Sequence, residues 1–213
     1  MKTNKEYKDA ALSALKGNWA QAVVATCVIL IFSEIISVTS FWLNPVQYSW
    51  IGAAMPVLAI LVVLPLAVGY ANAFNALYLM SDRQVVGNMK DLTFGHYLRN
   101  LAGMFLMALF VWLWTLLLIV PGIIMSYAWF LVPYLLVDNP ELSLMETLSL
   151  SRKMMRGNKW RLFKLQLSFI GWILLNVLTL GLASLWVMPY MMTAMSAFYQ
   201  DVKAEYEQNT FIN

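Results

Sequence analysis

Charge, cysteine and histidine are all scarce in this chain. Only 12% of its 213 residues are Asp, Glu, Lys or Arg, against about 25% in ordinary soluble domains. Cys27 is the only cysteine, so neither an intramolecular disulfide nor a cysteine metal cluster can form. His96 is the only histidine, which excludes zinc sites built from paired histidines and any His–His relay. No P-loop, Gly-x-Ser-x-Gly elbow or His-Glu-x-x-His helix is present. No catalytic residue, metal site or cofactor is expected, and the chain reads as a non-enzyme.

Apolar residues fill the space that charge leaves. They make up 61% of the chain, with a mean hydropathy of +0.67. A membrane span needs about 20 such residues to cross the hydrocarbon core. Six runs qualify as spans, at about 20–42, 53–80, 101–120, 123–137, 162–179 and 182–199. Pro121-Gly122 is read as a tight turn between the third and fourth. The fourth and sixth are short and contain Pro133 and Pro189, which predicts kinks. Four full spans with re-entrant pieces is the alternative count. The expected fold is an all-α polytopic bundle of six spans arranged as three hairpins.

The 14 Lys and Arg residues fall in four groups, at 2–16, 83–99, 152–164 and 203. The connections inside each hairpin carry none. An even number of spans returns every basic group to one face, and the positive-inside rule makes that face cytoplasmic. Both termini are therefore expected inside, at the cytoplasmic (inner) membrane of a bacterium, with no cleaved leader. Residues 1–19 are expected to form an amphipathic helix on the membrane surface. Its cap is Thr3 or Asn4, and Tyr7, Ala11 and Leu15 make its apolar stripe. Residues 20–199 form the membrane domain, with a cytoplasmic helix at 140–156 capped by Asn139 and Pro140. Residues 200–213 are a cytoplasmic tail.

An internal echo supports the hairpins. Lys16-Gly17-Asn18-Trp19 opens the first span, and Arg156-Gly157-Asn158-Lys159-Trp160 opens the fifth. Arg99-Asn100 opens the third more loosely. Repeats of one orientation would be related by an axis along the membrane normal.

Two sets of residues are candidates for function. The first is basic: Arg152, Lys153, Arg156, Lys159 and Arg161, with Trp160 among them. Near a bilayer each cation contributes about 1 kcal/mol toward anionic headgroups. The expected partners are membrane lipids, anionic ones above all, together with a membrane protein partner or a second copy of the chain. A net charge of +3 is too small to suggest nucleic acid. The second set is polar and lies within the apolar runs: Glu34, Asn72, Asn75 and Asn176. Glu34 is either a proton or cation site facing the bundle interior or a protonated side chain bonded to a neighbour. The asparagines are either helix-packing amides or part of a polar path.

The second half also carries a family pattern. It runs Pro121-Gly122-Ile123-Ile124, Tyr127, Asp138-x-Pro140, Leu142, Glu146, Ser151 and Met155-x-Gly157-Asn158-Lys159-Trp160. Phe163, Phe169-x-x-Trp172 and Pro189-Tyr190 complete it. In these residues the chain resembles the bacterial integral membrane proteins called "domain of unknown function nine-seven-five". That group is distantly similar to the membrane domain of some glycerophosphodiester phosphodiesterases. The resemblance implies a fold class and a membrane address, but no substrate and no catalytic activity. The leading expectation is a module binding lipid or a partner through its basic cytoplasmic face. The alternative is a small transporter or channel component with a polar path near Glu34.

Overall fold

The computed structural model describes residues 2–42, 49–80 and 84–212. Residues 43–48, in the connection between the first two expected spans, lie outside them, as do Arg83 and the side chains of Trp42, Trp50 and Pro56. The chain is 85% helix, with no strand among the described residues. The helices are α1 (Asn4–Leu15), α2 (Trp19–Trp42), α3 (Ser49–Met80), α4 (Val85–Phe94), α5 (Tyr97–Leu117) and α6 (Ile119–Ala128). They continue as α7 (Val132–Asp138), α8 (Leu144–Met154), α9 (Lys159–Leu167), α10 (Ile170–Leu178) and α11 (Ser184–Ile212).

Four stretches of described helix are long and apolar enough to cross a membrane: Ile60–Leu79, Tyr97–Leu117, Ile119–Asp138 and Lys159–Leu178. The pair α1 and α2, bent by 101°, makes a fifth candidate. Among the described residues, length and hydropathy therefore give four or five candidate spans rather than six. The shortfall at α11 has a physical cause. Thr193, Ser196 and Gln200 dilute its apolar run, yet Thr193 to Tyr199 are all buried. A helix wrapped by other helices does not need a lipid-like surface. Its polar groups are satisfied locally: the Thr193 hydroxyl donates to Pro189 O (2.8 Å) and the Ser196 hydroxyl to Met192 O (3.0 Å). Pro189 sits inside α11 without ending it.

Several boundaries differ from the expected ones. The turn between the third and fourth candidate spans is the single extended residue Leu118, not Pro121-Gly122. Pro121 falls in the first turn of α6, where a missing N–H leaves no hydrogen bond unmade. Gly122 matters for contact instead, since a Cβ there would lie 2.7 Å from Thr115 Cα. The helix expected at 140–156 begins at Leu144. Ser143 and Glu146 form a capping box that outcompetes Asn139, which ends α7. Near Pro133 the helix breaks at 129–131. Val132 N turns to Trp129 O, so Ala128 O loses its usual donor and accepts from the Ser151 hydroxyl of α8 (2.9 Å).

Two corners have the same construction. At the first, Gly17 is left-handed (φ 86°), Asn18 N donates to Leu15 O, and the Asn18 amide donates to Ala14 O (3.2 Å). At the second, Gly157 is left-handed (φ 84°), Asn158 N donates to Met155 O, and the Asn158 amide donates to Met154 O (3.1 Å). Left-handed glycine ends a helix without the steric penalty of a Cβ. Capping boxes open both short helices, Thr3 with Glu6 and Ser143 with Glu146, at one spacing from the glycine. Between α4 and α5, Asn100 does the same work differently: its amide donates to Leu92 O (2.9 Å).

The apolar stripe of α1 packs inward against the bundle. Tyr7, Ala11 and Leu15 are at most 1% exposed and join the core formed by α3 and α11. A charged latch fixes this docking. Arg161 of α9 pairs with Asp201 (2.6 Å) and Glu205 (2.8 Å) of α11, and donates to the Tyr7 hydroxyl (2.9 Å). The Tyr7 hydroxyl in turn donates to Asp201 (2.5 Å). Burial pushes the Asp201 carboxyl up. The Tyr7 hydroxyl, the Lys2 N–H and Arg161 outweigh it and hold the group below the ordinary aspartate value.

Removing Arg161 leaves two shielded carboxylates without their cation. Arg161→Ala should destabilise the detergent-solubilised protein by about 2–4 kcal/mol, somewhat less than a fully buried pair because each partner keeps some exposure. Asp201 has a lowered native pKa, so its contribution is present above the unfolded value of about 3.9 and is lost as pH falls through the native one. Melting temperatures from about pH 7 down to about pH 3 should show the gap between wild type and Arg161→Ala shrinking with acid. A gap independent of pH would rule out this linkage.

Candidate functional site

The α8–α9 corner presents the basic set. Thr147, Leu148, Ser151, Met154 and Met155 bury one side of α8 and its C-terminal turn. The opposite side and the turn carry Arg152, Lys153 and Arg156, all exposed. Arg152, Arg156, Gly157, Lys159 and Trp160 line an open concavity of about 390 Å³. Lys153 lies beside Glu146 in a separate shallow depression. Trp160 is 61% exposed and stacks on Phe163 (4.9 Å between centroids), with Lys164 Nζ 5.8 Å from its ring.

Pairing divides the cations into two classes. Arg161 is taken up by Asp201 and Glu205, and also donates to Asn158 Oδ1 (2.6 Å). Lys203 pairs with Asp138 (2.6 Å), which also accepts from the Tyr199 hydroxyl (2.6 Å). Among the described residues, Arg152, Lys153, Arg156 and Lys159 have no ion pair. Sequence proximity groups Arg161 with these four, but a helix turns about 100° per residue. It therefore faces α11 and the bundle rather than the concavity.

The polar residues within the apolar runs separate as well. Asn72 donates to Val68 O (3.0 Å) and across to Pro133 O (2.7 Å). Asn75 accepts from the Gln200 amide (2.8 Å). These two join α3 to α7 and α11 as packing contacts. Glu34 and Asn176 lie elsewhere, both on the wall of a cleft of about 310 Å³ between α2, α10 and α11. Ser184, Met188 and Met191 line it too. Asn176 Oδ1 is buried without a hydrogen-bond partner.

Sequence reasoning missed two features. One is the ion pair of Asp138 with Lys203, whose partners lie far apart in the chain. The other is an apolar groove beside Lys90, which only the packing of α4 on α3 creates. Among the described residues, no group of three His, Cys, Asp or Glu side chains could hold a metal ion.

Comparison with known proteins agrees with an apolar helical chain of unassigned activity. No curated protein and no solved structure matches it. No likeness to the membrane domain of glycerophosphodiester phosphodiesterases is found. One family model does match, over residues 57–206, which take in α4 to α10 and most of α3 and α11. On that match the chain belongs to the family described as "Protein of unknown function (DUF975)".

Proposed function

We propose that this chain is a non-enzymatic module of the bacterial cytoplasmic membrane that binds anionic lipid headgroups through its α8–α9 corner. In this reading it crosses six times as three hairpins, with both termini inside. The observation that carries it is the contrast between paired and free cations. Folding uses Arg161 and Lys203, while Arg152, Arg156 and Lys159 surround an open concavity with an exposed Trp160. Cations beside an interfacial indole suit a phosphate at the headgroup level. An acidic segment of a membrane protein partner, or of a second copy, would meet the same chemistry.

The test replaces Arg152, Lys153, Arg156 and Lys159 together with Gln. Purified protein is then analysed for retained phosphatidylglycerol. Each lost cation should weaken retention by about 1 kcal/mol, roughly fivefold, where it faces the headgroup. The melting temperature should hold, because none of the four is part of the Arg161 latch. Undiminished phosphatidylglycerol in the variant would refute the reading.

A second reading has its own support. Glu34 and the unpartnered Asn176 oxygen share one cleft, which suits a proton or a cationic solute in a small transporter or channel component. Its test is labelling of Glu34→Cys in a Cys27→Ser background with a small polar thiol reagent on sealed membranes. Reaction is expected if water reaches the cleft. Protection from both sides, with control cysteines labelling normally, would leave Glu34 a packing residue.

A further inference from the structure

A second site lies away from the basic corner, where α4 folds back along α3. Gly69 makes this approach close: a Cβ there would overlap the Thr93 side chain and lie 2.5 Å from Met89 O. Beside that contact runs a groove of about 670 Å³. Val28 and Phe32 of α2, Leu66 of α3, and Met89 and Phe94 of α4 form its walls. Its volume falls in the range of sites that enclose a small organic ligand, about 300–1,000 Å³.

The polar groups along the groove are few and their state is informative. The Thr93 hydroxyl donates to Met89 O (2.6 Å). The Tyr97 hydroxyl donates to Leu61 O (2.7 Å). Both protons are therefore already used within the protein. Lys90 is the one charged residue on the wall. It is exposed, and among the described residues it has no ion pair. An occupant must then have a long apolar body, few hydrogen-bonding groups along it, and one anionic end. A polar solute would leave its donors unmatched, at a cost of about 1–3 kcal/mol for each one buried. A lipid supplies both parts in one molecule, an apolar chain for the groove and a phosphate for the Lys90 ammonium.

We infer that this groove holds one acyl chain of an anionic phospholipid, with the headgroup phosphate beside Lys90. The inference needs the chain to lie in a bilayer, but not the α8–α9 corner to bind anything. Hydrocarbon supplies the body of the ligand, and Lys90 selects among headgroups.

The experiment uses the full chain in nanodiscs containing a trace of phospholipid with a photoactivatable acyl chain, as phosphatidylglycerol or as phosphatidylcholine. Crosslinked peptides are located by mass spectrometry. The label should concentrate on the segments carrying Val28–Phe32 and Met89–Phe94. It should be about fivefold stronger for phosphatidylglycerol, matching roughly 1 kcal/mol from one lysine. Lys90→Gln, an exposed change, should remove that preference and leave the melting temperature unchanged. Leu66→Trp should fill the groove and lower labelling by both lipids. The quadruple Gln variant of the basic corner should label like wild type, so the two sites stand or fall separately. Equal labelling by both lipids would mean bulk hydrocarbon only and would overturn the inference. So would a preference that survives Lys90→Gln, or labelling by a free photoactivatable fatty acid in place of the phospholipid.

Discussion

A helix that ends inside a packed apolar bundle must pass its last carbonyls to some donor. Hydrocarbon offers none, and an unmet backbone group there costs several kcal/mol. In this chain asparagine amides supply that donor at three corners. Asn18, Asn100 and Asn158 each reach back to the carbonyl end of the short helix before them. Each corner thereby fixes the angle between a short helix and the long segment that follows. The later contacts of α1, α4 and α8 depend on those angles. Tyr7 reaches the Arg161–Asp201 pair because α1 is turned against α11, and the groove at Lys90 forms because α4 is turned against α3.

The corners also bear on which long segments end up inside. Ile60–Leu79 is 61% buried and Ile119–Asp138 is 44% buried, but Tyr97–Leu117 and Lys159–Leu178 are each only 17% buried. The two inner segments pack with α11, through Asn72 to Pro133, Asn75 to Gln200, and the stacked rings of Tyr134 and Tyr199 (4.7 Å). The Asn72 amide N–H, the Asn75 carbonyl oxygen and the Tyr199 hydroxyl each find a partner on a neighbouring helix, which offsets the cost of burying them. The outer segments show lipid-like side chains instead, such as Trp112, Leu116 and Leu174.

That division explains what could be read from the sequence. The existence of the apolar helices was legible, since hydropathy over about 20 residues is a strong signal. The glycine–asparagine corners were legible too, because few residues tolerate a left-handed turn. The capping box of Ser143 and Glu146 is present in the sequence as Ser-x-x-Glu, where it competes with the Asn139-Pro140 start signal. Other features were not legible. The polar content of α11 weakens its hydropathy, and burial is a property of its neighbours rather than of its own residues. The convergence of Glu34 with Asn176, and the separation of both from Asn72 and Asn75, depend on how distant segments pack.

Charge separates what folding requires from what it does not. A cation in a largely enclosed network is held there by its acids, and Asp138, Asp201 and Glu205 account for Lys203 and Arg161. Nothing in the packing asks for Arg152, Arg156 and Lys159 to gather around one concavity. Like charges at that distance repel, and the arrangement stabilises the bundle less than scattered lysines would. The positive-inside rule asks only that cations lie near a span end, in any order and on any side of the helix. It asks neither for a concavity nor for an exposed indole at its edge. Topology therefore explains the sign of the charge at the α8–α9 corner but not its shape. In the proposed reading, a phosphate-bearing ligand would account for both with the same residues.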